Sequence, residues 1–224
     1  MDAWKMIYLA RRNPALRAED FPQAWREHSA LGRQCANVRD KVLAVTQCSR
    51  VLDPPAPLPG TSPDYDGVNL LALRDRQAAD DIWNDPETLA IMRPDEPRVF
   101  STYVRDFTLI ARESVIVDGP RSDVCVAFFL RTRDGPAPAA APIGGPDMTP
   151  WLRARRVVAN VVDGARPAGY EFDLIVEAWY ESVERALMGF AGRPVWDRLP
   201  NSLSSRVDVG RSVCLLTHVT HRRP

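Results

Sequence analysis

Hydrophobic and polar positions alternate with period two along several short stretches of this chain and recur with a helical period along others. Alternation predicts strands at Trp4 to Arg11, Val42 to Leu52, Val68 to Leu73 and Phe107 to Val115, then at Val124 to Leu130, Val157 to Val162, Asp173 to Tyr180 and Val213 to Val219. A helix is predicted from about Asp20 to Gln34, with Pro22 in the first turn, where its missing N–H has no intrahelical partner to lose. On that helix Phe21, Trp25 and His28 fall at i, i+4 and i+7 and share one face. Shorter helices are predicted at Gln77 to Trp83 and around Val183 to Phe190. Each half then reads β-α-β-β-α-β, the order of a ferredoxin-like unit.

The order is repeated because the sequence is. YDGVNLLALRDRQAADDIW, from Tyr65, is echoed by FDLIVEAWYESVERALMGF, from Phe172. MIYLARR and VAFFLRTR precede the two copies, and DFTLIARES and SVCLLTHVT follow them. Each half is about 110 residues, a common domain size, and the boundaries fall at residues 1–119 and 120–224. The second copy is degenerate: RDGPAPAAAPIGGPDM stands where the first half has its long helix, leaving a stub from about Thr149 to Arg155. A four-stranded antiparallel sheet with helices on one face needs cover on the other. Two such units can cover each other, so the expected class is α+β: two ferredoxin-like βαββαβ repeats closing into a pseudo-dimeric α+β barrel. By alternation, Val124, Val126, Phe128 and Leu130, Leu174, Val176 and Ala178, and Val213, Leu215 and Val219 should face the helices. The mixed set Phe129, Arg131, Glu177, Trp179 and His218 should face the barrel interior, where polar groups are costly unless hydrogen-bonded or used.

Composition narrows the partners. The 224 residues are 45% hydrophobic, with 29 basic and 29 acidic side chains. That describes an ordinary globular chain, with no global field to attract nucleic acid or an anionic membrane. A small organic molecule is the expected partner. No apolar run approaches the length of a membrane span, the chain opens without a signal segment, and Cys35, Cys48, Cys125 and Cys214 form no CxxC or metal-ligand spacing, so a reducing cytoplasm is expected. The sequence holds no P-loop, no GxGxxG after a strand and no defensible Ser/His/Asp order. Its three histidines are too far apart for a zinc site and leave a haem only one axial ligand, so no metal and no cofactor is expected.

Proton transfer needs a group that titrates near neutrality, and His28 is the leading candidate for it, against the alternative of a helix-capping or core histidine. Glu177, placed inward beside Ile175 and Trp179, reads equally as an acid/base group or as a structural ion pair with Arg131 or another interior arginine. His218 reads as a third catalytic candidate or as a histidine on a fraying last strand, and His221 as solvated. Tyr8, Trp25 and Trp179 are candidate pocket walls, with Phe129 and Arg131 as further substrate contacts, although aromatics at this spacing commonly serve the core. Asp66 and Asp173, at equivalent places before the third strand of each half, are expected to hold a turn or a backbone amide.

FPQAWREHSAL in the first helix, YDGVNLLAL, and DPETLAIMRPDEPRVF together resemble the EthD family, and FDLIVEAWYESVE is similar to the same strand–helix motif. The resemblance covers most of residues 6 to 115 and, in patches, 124 to 221. It implies the dimeric α+β barrel superfamily, whose relatives include cofactor-free isomerases, polyketide dehydratases and cyclases, antibiotic-synthesis monooxygenases and some haem enzymes, so fold does not fix function. Ser29 and Ala30 follow His28 where the family usually shows Ala and Pro, and Ala72 and Leu73 stand where it favours Trp and Phe. The second half has no counterpart of His28, which implies one working site per chain. The resulting expectation is a small-molecule enzyme of lyase or isomerase type, performing cofactor-independent proton transfer on an apolar or aromatic substrate in a catabolic or secondary-metabolite pathway. The alternatives are a cofactor-free oxygenase and a non-catalytic binding protein. A homodimer of the fused units is the higher assembly this architecture allows.

Overall fold

Eight antiparallel strands form close to where alternation predicts them. In the computed structural model, which describes residues 3–133 and 153–223, they are β1 (Ala3–Ala10), β2 (Val42–Arg50), β3 (Gly67–Leu73), β4 (Thr108–Val117), β5 (Val124–Leu130), β6 (Arg156–Val162), β7 (Leu174–Tyr180) and β8 (Val213–Arg223). They close into a barrel in the order β1-β3-β2-β8-β5-β7-β6-β4, with β4 returning to β1. The first half therefore contributes β4-β1-β3-β2 as consecutive neighbours and the second contributes β8-β5-β7-β6. The halves join edge to edge through β2–β8 and β4–β6, so each strand is paired on both sides. Corresponding turns share a detail. The carboxylate of Asp66 accepts the backbone N–H of Arg12 at 2.9 Å, and that of Asp173 accepts the N–H of Thr132 at 2.8 Å. Both aspartates thus hold a backbone amide, as expected.

The barrel interior is apolar. Ile7, Leu9, Val68, Leu70 and Leu109 from the first half meet Ala127, Phe129, Ile175, Trp179 and Leu215 from the second. Outside the barrel, Val126, Phe128, Val176 and Ala178 pack on Ala186 and Phe190 of α6 (Val183–Phe190). On the first half, Met6, Val45, Leu71 and Leu73 pack on Val38, Ala78 and Ile82. The helices there are α1 (Phe21–Leu31), α2 (Ala36–Lys41), α3 (Gln77–Asn84), α4 (Pro86–Ile91) and α5 (Glu96–Val99).

Several expectations are corrected. The faces of β8 are the reverse of those predicted: Val213, Leu215 and Val219 pack on the interior cluster, while Cys214 and Leu216 pack on the helix side. His218 therefore points outward and is exposed; β8 runs on to Arg223, and a polar side chain on its outer surface costs nothing in solvent. Arg131 lies beyond the end of β5, half-buried, with Nη1 donating to Glu171 at 3.0 Å, so it is not an interior residue. Of the predicted stub from Thr149 to Arg155, residues 149–152 lie outside the described residues, and 153–155 form a turn into β6 rather than a helix. The long first helix also ends earlier than predicted, at Leu31. The segment between α3 and β4 is more ordered than the sequence implied. Pro86 and Pro97 sit in the first turns of α4 and α5, and the Asp85 side chain caps α4 by accepting the Thr88 N–H at 2.8 Å.

Candidate functional site

The first-half sheet carries a polar row on its helix side. Register places Tyr8 of β1 opposite Asn69 of β3, and Asn69 opposite Gln47 of β2. Opposed residues share a face, so the three side chains stand abreast under α1, where surrounding positions are apolar. Asn69 and Gln47 are 3% and 1% exposed, yet Asn69 Oδ1 and Gln47 Oε1 have no hydrogen-bond partner. A buried amide oxygen left bare costs about 1–3 kcal/mol, which marks the row as a place prepared for a polar ligand group.

The helix α1 supplies the opposite wall. Its buried face is Phe21, Ala24, Trp25 and His28. Trp25 can lie flat against the sheet because residue 67 is a glycine: a Cβ there would stand 2.6 Å from the Trp25 ring and 2.7 Å from the Cys48 carbonyl oxygen. Phe100 meets both Trp25 and His28 edge-on, at 6.0 and 5.3 Å between ring centroids. Between α1, the sheet and the α3–α5 segment lies a cleft of about 650 Å³ counted out to its mouth, lined by Tyr8, Trp25, His28, Gln47, Asn69 and Glu96 among others.

His28 is buried, with Nδ1 3.0 Å from Oδ2 of Asp95. Asp95 is itself gripped by Arg98, whose Nε donates to Oδ1 at 2.7 Å and whose other amino group donates to Oδ2 at 3.2 Å. The Arg98 hydrogen bond holds the Asp95 carboxyl below its ordinary range, so it is ionised and accepts the Nδ1 proton. That fixes the tautomer and leaves Nε2 as the basic nitrogen. Burial pushes the His28 pKa down, and Asp95 opposes the shift. Burial, with a smaller contribution from the charge of Glu96, pushes the Tyr8 phenol up, so it stays protonated and can donate. Glu96 is raised by burial and accepts the Val104 N–H at 2.8 Å.

The structure brings together three of the predicted residues, His28, Tyr8 and Trp25. It separates the others from them. Glu177, Trp179 and Phe129 point into the barrel, on the far side of the sheet from the cleft. Glu177 does form an ion pair, but with Lys5 rather than an arginine: Lys5 Nζ lies 2.5 Å from Glu177 Oε1 and 2.5 Å from Glu113 Oε2. Asn160 and the Trp179 indole N–H donate to the same Glu177 carboxylate, each at 2.9 Å. With its oxygens so occupied, Glu177 holds the two halves together and cannot serve His28. His218 and Arg131 lie outside the cleft as well.

Sequence reasoning missed Asp95, Glu96, Gln47, Asn69 and Lys5. Signals existed for two of these: Asn69 interrupts the apolar run GVNLLAL, and Lys5 is one of only two lysines, set within a strand. Asp95 lies in the segment DPETLAIMRPDEPRVF that carries the resemblance, but only the tertiary fold brings it to His28.

Residues 13–102, which supply most of the cleft's lining, match the family model for the EthD domain. Within those residues the chain is similar to the EthD domain. No curated protein matches it as a relative. Among solved structures, it is similar to an anthrone oxidase-like protein, at 13% identity and a TM-score of 0.58, over 99% of this chain and 92% of the other. A chlorite dismutase from Candidatus Nitrospira defluvii in complex with imidazole gives 11% identity and 0.53 over 97% and 90%. A putative monooxygenase from Fusobacterium nucleatum subsp. nucleatum gives 6% and 0.50 over 99% and 93%. At these identities the likeness is one of fold: an α+β chain with an eight-stranded antiparallel barrel. Among the described residues no helix is long and apolar enough to cross a membrane, and no group of three His, Cys, Asp or Glu could hold a metal ion.

Proposed function

We propose that this protein is a small-molecule enzyme in which His28 acts as general base on a flat, largely apolar substrate with an acidic C–H or O–H. The observation that carries this reading is the His28–Asp95 pair, tautomer fixed, at the edge of a cleft in which two buried amide oxygens lack partners. In the proposed step Nε2 takes the substrate proton, Asp95 stabilises the imidazolium that forms, the Tyr8 hydroxyl donates to the oxygen on which charge develops, and the bare amide oxygens of Asn69 and Gln47 accept from an O–H or N–H of the substrate. Return of the proton at another carbon is isomerisation; departure of hydroxide is dehydration. Glu177 and His218 have no part in this step. We read the chain as two ferredoxin-like repeats, 1–119 and 120–224, on the strength of the matched strand orders and the paired roles of Asp66 and Asp173. The first repeat holds the site, and the second supplies the other half of the barrel.

A second reading is favoured by the likeness in fold to an anthrone oxidase-like protein and a putative monooxygenase. It shares the first step. A deprotonated, electron-rich substrate can itself reduce oxygen; anthrone plus O₂ gives anthraquinone plus water, with no bound cofactor in the balance. Incubation of a panel of ring ketones and phenols, anthrone included, in D₂O under argon should show protein-dependent C–H exchange. His28→Gln should reduce the rate on the order of 10²-fold or more. Oxygen uptake when air is admitted selects the oxygenase reading. If the panel binds and no compound exchanges or consumes oxygen, the cleft is a binding site only, and a bound haem or flavin absorbance in the purified protein would overturn the cofactor-free chemistry.

A further inference from the structure

Beside the His28 cleft lies a smaller recess lined by Arg26, Ser29, Ala30, Arg33, His221 and Arg223, and the two spaces share Ser29 and Arg223 as walls. Its basic side chains converge from separate parts of the chain. Arg26 is on α1 and Arg33 just past its end, whereas His221 and Arg223 are on β8. Register sets Arg223 opposite Val45 and His221 opposite Gln47. Opposed residues share a face, and Val45 and Gln47 line the cleft, so β8 turns both side chains toward the cleft's edge.

No carboxylate lines this recess. Arg26 donates instead to the Thr220 carbonyl at 3.4 Å and to the Gln23 side chain. Other arginines of the protein are matched: Arg12 with Asp66, Arg76 with Asp163, Arg98 with Asp95, Arg156 with Asp118. Burial, with added repulsion from neighbouring arginines, depresses the pKa values of both His221 and Arg223. Like charges gathered in a half-buried hollow destabilise one another, and an anion entering it relieves that repulsion while gaining charge-assisted hydrogen bonds.

We propose that the recess seats an anionic group of the substrate, a carboxylate or a phosphate, while the apolar ring system of the same molecule enters the cleft toward His28. The inference rests on the proposed function for where the ring goes, and it adds the substrate's charge. It also gives the second half a task at the site, since β8 brings Arg223 and the imidazole of His221.

The test is calorimetric titration of the protein with 2-naphthoate, 2-naphthyl phosphate and uncharged 2-naphthol. At least one anion should bind 10-fold or more tighter than 2-naphthol, and whichever anion binds tighter identifies the group. In R26Q/R33Q, which changes two exposed side chains of the recess that do not line the His28 cleft, the preference should collapse to within about twofold while 2-naphthol affinity is retained. Raising NaCl should weaken the anions selectively in the wild type. Equal affinity for 2-naphthol and the anions, an unchanged preference in the double variant, or no binding of either anion at millimolar concentration each overturns the proposal. His28→Gln should leave the preference intact, so loss of the base chemistry and loss of the anion seat are separate outcomes.

Discussion

His28 stands between two opposing influences: burial disfavours its cation and Asp95 favours it, with burial the larger. The imidazole is therefore neutral at pH 7, and a rate that depends on it should be level at neutral pH and fall on a limb below pH ~6.5. Asp95→Asn removes the favourable partner, so that limb should move further toward acid while the maximal rate drops; a pH–rate profile of the variant checks both. A limb that stays put would mean Asp95 only packs. The sign for stability follows as well. The unfolded chain binds the His28 proton at a higher pH than the folded chain does, so this group's contribution is fully present above pH ~6.5 and is lost as pH falls through the folded-state pKa. His28, Tyr8 and Trp25 were legible because helical spacing and alternation reveal which face a side chain takes. The partner of His28 was not legible, since Asp95 reaches it from a loop–helix segment 67 positions away in sequence.

Among the elements, β3 shows how a strand is shaped by what lies on it. Gly67 admits the Trp25 ring where any Cβ would collide with both the ring and the Cys48 carbonyl. Gly67→Ala should cost about 1–3 kcal/mol by urea denaturation and displace Trp25, which its fluorescence will report. Strand placement was read well from alternation, to within one or two residues at most ends. The facing of β8 was not, because its mixed face is not the one that lies inside. In this strand Cys214 and Leu216 serve the helix side while aliphatic Val213 and Leu215 serve the interior, so both faces are apolar over its first half and composition does not tell them apart. The short helices α4 and α5 escaped because each spans barely a turn or two, too little for periodicity to register.

In the whole molecule, the barrel depends on a charge cluster spanning its two halves. Lys5 from β1 and Glu177 from β7 are both nearly inaccessible, with side chains 4% and 3% exposed. Lys5→Met leaves the buried Glu177 without a cation, whereas Glu113 keeps Arg156 at 4.0 Å, and should cost about 3–5 kcal/mol. Lys5→Met with Glu177→Leu should be less destabilised than Lys5→Met alone, as a thermal or denaturant melt will show. If the double variant is instead the worse of the two, the cluster contributes more than mutual neutralisation.

The pairing of β2 with β8 also constrains the order of events during folding. Val45 meets Arg223 across most of the chain's length, and contacts so distant in sequence form slowly because the intervening loop must close first. During synthesis, the wall that Gln47 and Val45 share with His221 and Arg223 must wait until β8 has emerged and docked. Local helices and the β1–β3 pairing need not wait. A refolding experiment should accordingly recover far-ultraviolet circular dichroism before ligand binding. The interval between the two measures how long the nascent protein exists with its helices formed and its substrate cleft still open along one side.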